Sequence, residues 1–188
     1  MRAPAAIGMP LDGVDTPALV LELDAFERNL RRMNDAVAGR KIRVRTHAKT
    51  HKCPEIARQQ IAAGAVGMCC QKVSEAEALV DGGIADVLIS NEIVGDAKLA
   101  RLAALSKRAH IGICVDDLAN LRAIAATGAT LDIYVEIDVG AKRCGVPPGA
   151  AALALAREAS GFPNLRFAGL QAYPVSYTHL TLPTILRV

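Results

Sequence analysis

Residues 41 to 52 read KIRVRTHAKTHK. Lys41, Arg43, Arg45, His47 and Lys49 alternate with Ile42, Val44, Thr46 and Ala48, and His51 continues the basic row. Side chains of an extended strand point alternately to its two faces, so the basic groups share one side. Contact with a polyanion, metal ligation and amine chemistry all suit such a row, and a solvated basic edge strand is the plain alternative. On a strand His47 and His51 would stand about 13 Å apart, too far to share one ion. A nucleic-acid stripe interleaves aromatic residues that stack on bases, and this chain is 3% aromatic. A lysine desolvated among other cations has a lowered pKa. In that state its amine is a nucleophile toward a carbonyl. Such chemistry forms a Schiff base, either with a substrate or with pyridoxal phosphate.

A second constellation is EIDVGAKRCGV, residues 136 to 146. Glu136 and Asp138 share one strand face, and Gly140 and Gly145 permit tight turns. The Arg143 guanidinium could hold a phenolate or phosphate oxygen, and an inward Glu136 could hold Arg143 by a charge-assisted pair. A surface loop with a structural salt bridge is the alternative. Gln71, Asn91 and Tyr173 are polar residues ending apolar runs. Singly each suits a cap or loop hydrogen bond; together they line one rim.

The elements that must position these groups alternate along the chain. Strand-like runs cover residues 18–23, 42–47, 65–70, 85–90, 111–116, 132–138 and 166–173. Amphipathic helical runs lie between them, with capping-box patterns at Asp24/Glu27 and Ser74/Glu77. Gly82, Gly83 and Gly128 stand where helices should stop. Strand then helix, repeated, gives parallel strands with helical crossovers. An open doubly wound sheet would bury the cations of the first strand under a second helix layer. A barrel instead offers an interior whose upper layer can be polar, with Lys49 emerging at the C-terminal mouth. A complete barrel needs about 250 residues. The expected fold is therefore α/β: a partial (β/α)8 TIM barrel with about six of eight strands, all parallel.

Composition narrows the classes further. The chain has 188 residues, 52% hydrophobic and 22% charged, with a net charge of +3. That charge is too mild to argue for nucleic acid. No apolar run approaches a membrane span, and the first residues lack the apolar core of a signal peptide. Five cysteines without a CxxC motif read as reduced thiols of a cytoplasmic protein. The tail breaks the pattern. Val175 to Thr184, VSYTHLTLPT, match residue by residue what a common transposase sequencing adapter encodes in this frame. Residues 1–173 are expected to be native and incomplete, and 174–188 to be adapter read-through. Tyr177 and His179 are accordingly kept out of any site.

The chain resembles the fold-type III pyridoxal-phosphate enzymes, whose N-terminal barrel is alanine-racemase-like. It is most similar to the branch of D-threonine aldolase, 3-hydroxy-D-aspartate aldolase and D-serine dehydratase. The resemblance rests on TPALVLELDAFERNL, RTHAKTHK, GMCCQKVSEAEAL, DVLISNEIV, VEIDVGAKRCGV and GLQAY, in family order from residue 16 to 173. It implies that Lys49 is the Schiff-base lysine and that Arg143 stands near the cofactor's phenolic oxygen, with Tyr173 and Gln71 close by. Glu136 replaces the lysine usual in alanine racemases, which argues against racemisation. The implied activity is cleavage of D-3-hydroxy amino acids, such as D-threonine or 3-hydroxy-D-aspartate, to glycine and an aldehyde. D-serine dehydratase and a non-catalytic pyridoxal-phosphate carrier are the alternatives. The resemblance further implies a homodimer and a divalent metal. No metal ligand carries over to a residue of this chain, and the fragment itself is expected to be inactive.

Overall fold

A computed structural model describes residues 5–173. The segment 174–188, read above as adapter-encoded, lies outside the described residues. The chain divides into two compact units, Met1–Ile42 and Arg43–Val188.

The first unit holds a short 3-10 turn at Leu11–Gly13 and helix α1, Leu23–Val37. Residues 18–23 do not form the expected leading strand, and Leu23 already opens α1. A strand exists through its ladder, and no strand pairs with this segment among the described residues. Leu19, Val20 and Leu21 are left exposed. The cap of α1 is also two residues earlier than expected. The carboxylate of Glu22, not Asp24, accepts from the backbone N–H groups of Asp24 (3.2 Å) and Ala25 (2.6 Å). Asp24 instead sits in the first turn, where its charge complements the helix dipole.

The second unit is a six-stranded parallel sheet: β1 (Thr46–His47), β2 (Met68–Cys70), β3 (Asp86–Glu92), β4 (His110–Val115), β5 (Leu131–Ile137) and β6 (Leu165–Ala172). Helices α2 (Pro54–Ala62), α3 (Val73–Asp81), α4 (Asp96–Leu105), α5 (Leu118–Ala126) and α6 (Ala150–Gly161) make the crossovers. Strand order follows chain order without reversal. A doubly wound sheet reverses at a switch point, so this order selects the barrel architecture. Val87, Ile89, Ile111, Ile113, Val115, Ile133 and Val135 form one buried core with Leu79, Leu99, Leu102, Leu121, Ile124 and Leu155 of the helices. The alternate residues are thereby forced to the opposite, barrel-interior face.

Two local expectations need correction. The ladder of β1 covers only two residues of the expected 42–47, although Val44 O still accepts from Val66 N–H at 2.9 Å. Its even positions do face the helices: Thr46 Oγ1 lies 3.1 Å from Gln60 Oε1 on α2, and Ala48 is buried. The capping box at Ser74 does not form. Helix α3 begins at Val73, and Glu75 reaches back to accept from Gln71 N–H at 2.9 Å. The glycine stops hold, with left-handed φ of 87° at Gly83 and 71° at Gly128.

The interior face is layered. Its floor is a row of charge. Arg45 donates to Asp86 Oδ1 (2.7 Å), and His110 lies 3.2 Å from Asp86 and 2.9 Å from Asp132. Arg166 grips Asp132 through two nitrogens. Burial pushes the Asp86 carboxyl up, but the hydrogen bonds and charges of Arg45 and His110 bring it below its usual value. Above the floor, Leu88 and Tyr134 close over Gly112. A Cβ there would stand 3.0 Å from the Tyr134 ring and 3.1 Å from Leu88 Cδ1. Gly112→Ala is therefore expected to destabilise the chain by about 1–3 kcal/mol through overpacking, measured as a lower urea midpoint at unchanged m-value.

Candidate active site

The C-terminal ends of the strands surround a cavity of ≈ 300 Å³. Lys49, Gln71, Arg143 and Tyr173, the four residues expected to serve a site, all line it. They reach it from β1, β2, the loop after β5, and β6. A larger cleft of ≈ 670 Å³ borders α6, but of its charged residues Asp117, Arg157 and Glu158 are exposed and Asp116 is half-buried. The interior cavity is the one where polar groups converge from several strands.

Lys49 stands on a turn clamped at its start. Ala48 N–H donates to Cys69 O and Lys52 N–H to Ala48 O, both at 2.7 Å. Lys49 N–H donates to His47 Nδ1 at 3.2 Å. The expected crowding by cations is built in part: Arg45 and His47 line the same cavity as Lys49. Arg43 is exposed, and Arg45 turns to the floor, where Asp86 offsets its charge. The charge of Lys49 is felt instead by His47. Burial first, and then Lys49, hold His47 below the usual 6.5, while Gln71 and Glu75 oppose the shift.

Gln71 is fixed by a staple between β2 and β3. Its Nε2 donates to Ser90 O at 3.3 Å, and Asn91 Nδ2 donates to Gln71 O at 3.2 Å. Ser90 Oγ donates to Cys70 O at 3.3 Å and lies 3.1 Å from Cys69 Sγ. Asn91 thus serves as a structural hydrogen bonder and does not line the cavity. Burial raises the Cys69 thiol and pushes Cys70 up to about 12, so neither is a ready nucleophile.

The loop carrying Arg143 is wound tightly. Asp138 Oδ1 accepts from Gly140 N–H (2.9 Å) and Lys142 N–H (3.0 Å). Gly145 N–H donates to Asp116 Oδ2 at 2.9 Å, and Val146 N–H to Glu136 O at 2.9 Å. Gly145 has φ 99°, and a Cβ there would lie 2.6 Å from backbone atoms of Ile137 and Asp138. No larger residue fits that return. The Arg143 guanidinium carbon sits 5.2 Å from the Tyr173 ring centroid, in cation–π range.

Glu136 does not pair with Arg143 as expected. Its Oε1 is met by the Cys144 thiol at 3.4 Å, because the loop sets Cys144 over the carboxylate. Ser90, Gln171 and His47 also line the cavity. Period-two alternation carries the signal for two of them: Ser90 shares a face with Leu88, and Gln171 with Tyr173.

Residues 21–184 match the model of the alanine racemase N-terminal domain. The chain belongs to that family. A D-threonine aldolase of an Arthrobacter species is 53% identical over 180 residues, covering 94% of this chain and 48% of that protein. A 3-hydroxy-D-aspartate aldolase of Paracoccus denitrificans is 46% identical, covering 94% of this chain and 47% of that protein. The crystal structure of D-threonine aldolase from Filomicrobium marinum superposes with a TM-score of 0.91 at 55% identity, over 96% of this chain and 50% of that one. A D-serine dehydratase of Schizosaccharomyces pombe is more distant, at 29% identity. The chain spans about half the length of the curated relatives it matches. The family implies pyridoxal phosphate as cofactor, and the alanine racemase N-terminal barrel here presents a lysine and an arginine to one cavity.

Burial holds both His47 and His51 below the usual 6.5. The unfolded chain then binds more protons than the fold as pH falls through 6.5. Their contribution is fully present above that value and is lost below it. The melting temperature should drop between about pH 7.5 and about pH 5.5. A His47→Gln, His51→Gln double variant should show a shallower drop.

Proposed function

We propose that the intact protein is a pyridoxal-phosphate-dependent carbon–carbon lyase that cleaves D-3-hydroxy amino acids, such as D-threonine or 3-hydroxy-D-aspartate, to glycine and an aldehyde. The observation that carries this reading is the convergence of Lys49, Arg143, Tyr173 and Gln71 on one interior cavity. The two aldolases named above, each aligned over 94% of the chain, support it over dehydration.

The residues present fit the cofactor. Lys49 would hold its carbonyl carbon through Nζ. Arg143, steadied on the Tyr173 ring, would donate to an anionic ring oxygen. Gln71, pinned to β3, would line the wall beside it. When bound, the cofactor supplies the electron sink for the pair released at Cα. Cleavage breaks Cα–Cβ, the 3-hydroxyl loses its proton to become the aldehyde, and Cα gains a proton to become glycine. The low-pKa face of His47 and the Lys49 amine are the groups at hand for proton transfer in this half of the site. A divalent metal at the substrate hydroxyl belongs to the same proposal, and no described residue is assigned to it. We further propose a homodimeric cytoplasmic protein, with native sequence through residue 173 and an inactive fragment in the present chain.

The test uses the full-length protein loaded with pyridoxal phosphate and supplied with D-threonine, D-3-hydroxyaspartate and D-serine. Glycine and an aldehyde should appear from the first two. Lys49→Ala should lose both the visible absorbance of the lysine-bound cofactor and turnover. Arg143→Ala should keep the colour and lose about a hundredfold in kcat. Visible absorbance retained in Lys49→Ala, or ammonia release from D-serine as the main activity, would contradict the proposal.

A further inference from the structure

His47 and His51 stand on either side of Lys49, and both make the same local contact. His47 Nδ1 accepts from Lys49 N–H at 3.2 Å, and His51 Nδ1 accepts from Cys53 N–H at 3.1 Å. Each side chain takes the backbone N–H two residues on, which is how asparagine and aspartate fix a turn. An imidazole can do this only when Nδ1 carries no proton, so the ring proton sits on Nε2. Burial is the first cause favouring the neutral form of each ring. The segment so held has little else to fix it. Lys49 is exposed, so packing does not set where it stands. Lys52 adopts φ 49°, a left-handed conformation uncommon outside glycine. Cys53, at the N-cap of α2, makes no side-chain cap bond, and Pro54 has no N–H. His47 thus ties the Lys49 backbone to the end of β1, and His51 ties the end of the turn to the start of α2. Gln60 of α2 lies beside the enclosed Nε2 of His51 and is 3.1 Å from Thr46 Oγ1, which closes the frame back to β1.

We propose that His47 and His51 are positioning residues for Lys49: two Nδ1 clamps that fix the turn from 47 to 53 and aim the lysine into the cavity. The role assigned to Lys49 rests on the function proposed above, whereas the clamps are a property of the chain alone. Their chemistry requires an acceptor at the place of Nδ1 and nothing else from the ring. Asparagine carries such an acceptor at Oδ1 and makes the same turn. Leucine keeps comparable bulk and offers none.

The test compares His47→Leu, His51→Leu, His47→Asn and His51→Asn in the full-length protein. Without cofactor, amide hydrogen exchange of the peptide spanning 47–53 should quicken about tenfold in each leucine variant and return to within about threefold of the parent in each asparagine variant. The dissociation constant for pyridoxal phosphate, read from visible absorbance, should follow the same order, weakened about tenfold by leucine and recovered by asparagine. Circular dichroism checks the fold of each variant. Should the leucine variants fail to fold, nitrogen NMR of the histidine-labelled parent decides. Unprotonated Nδ1 on both rings at neutral pH is the expected result, and a proton on either Nδ1 overturns the proposal. Asparagine variants that exchange and bind as poorly as the leucine variants overturn it as well. Exchange that follows the expected order, with the cofactor held on another lysine, upholds the clamps and refutes the role assigned to Lys49.

Discussion

The division of the sheet between its two faces is the constraint on which everything else rests. Parallel strands joined by helices on one side must give that side an apolar surface. Ile89, Ile113, Ile133 and their neighbours fill it completely against α2 to α6. Period-two geometry then sends every alternate residue the other way. Cys69, Ser90, Cys114, Glu136 and Gln171 do not choose the interior individually. The core packing on the far face leaves them no other.

Layering along that interior separates structure from chemistry. The floor spends its charges on one another, with Asp86 and Asp132 set between Arg45, His110 and Arg166. The Arg45 charge is thereby answered by Asp86, although Arg45 still lines the cavity with Lys49. The middle is closed by Leu88 and Tyr134 over a glycine that can carry no side chain. Only the upper layer keeps polar groups that are free to meet a ligand. Its members are stapled from behind: Gln71 through Ser90 and Asn91, and Arg143 through a loop that Asp116 and Asp138 hold closed.

Much of this was legible in the sequence, for physical reasons that also explain the failures. The barrel-type alternation of strand and helix, and the inward face of the row from Arg45 to Lys49, follow from local periodicity. Gln71 and Tyr173 stood out because each ends an apolar strand, Lys49 because it ends the alternating basic row, and Arg143 because it sits in the glycine-bounded loop after β5. Longer-range partners were not visible. Asp86 lies 41 residues beyond Arg45, and nothing local announces that pair. Glu136 was expected to meet Arg143 because charge suggested it, but the turn at Gly145 brings Cys144 there instead. Residues 18–22 have a strand's composition and no ladder among the described residues. At Ser74 the cap pattern lost to an earlier start, because Glu75 satisfies the Gln71 amide.

The central claim is that the inward face delivers one lysine, Lys49, to the cofactor cavity. Borohydride reduction of the full-length protein with bound pyridoxal phosphate, followed by peptide mass mapping, tests it most directly. The pyridoxyl group should be found on the peptide containing Lys49 and on no other. A label on the neighbouring Lys52 or on Lys72, with Lys49 unmodified, would contradict the account.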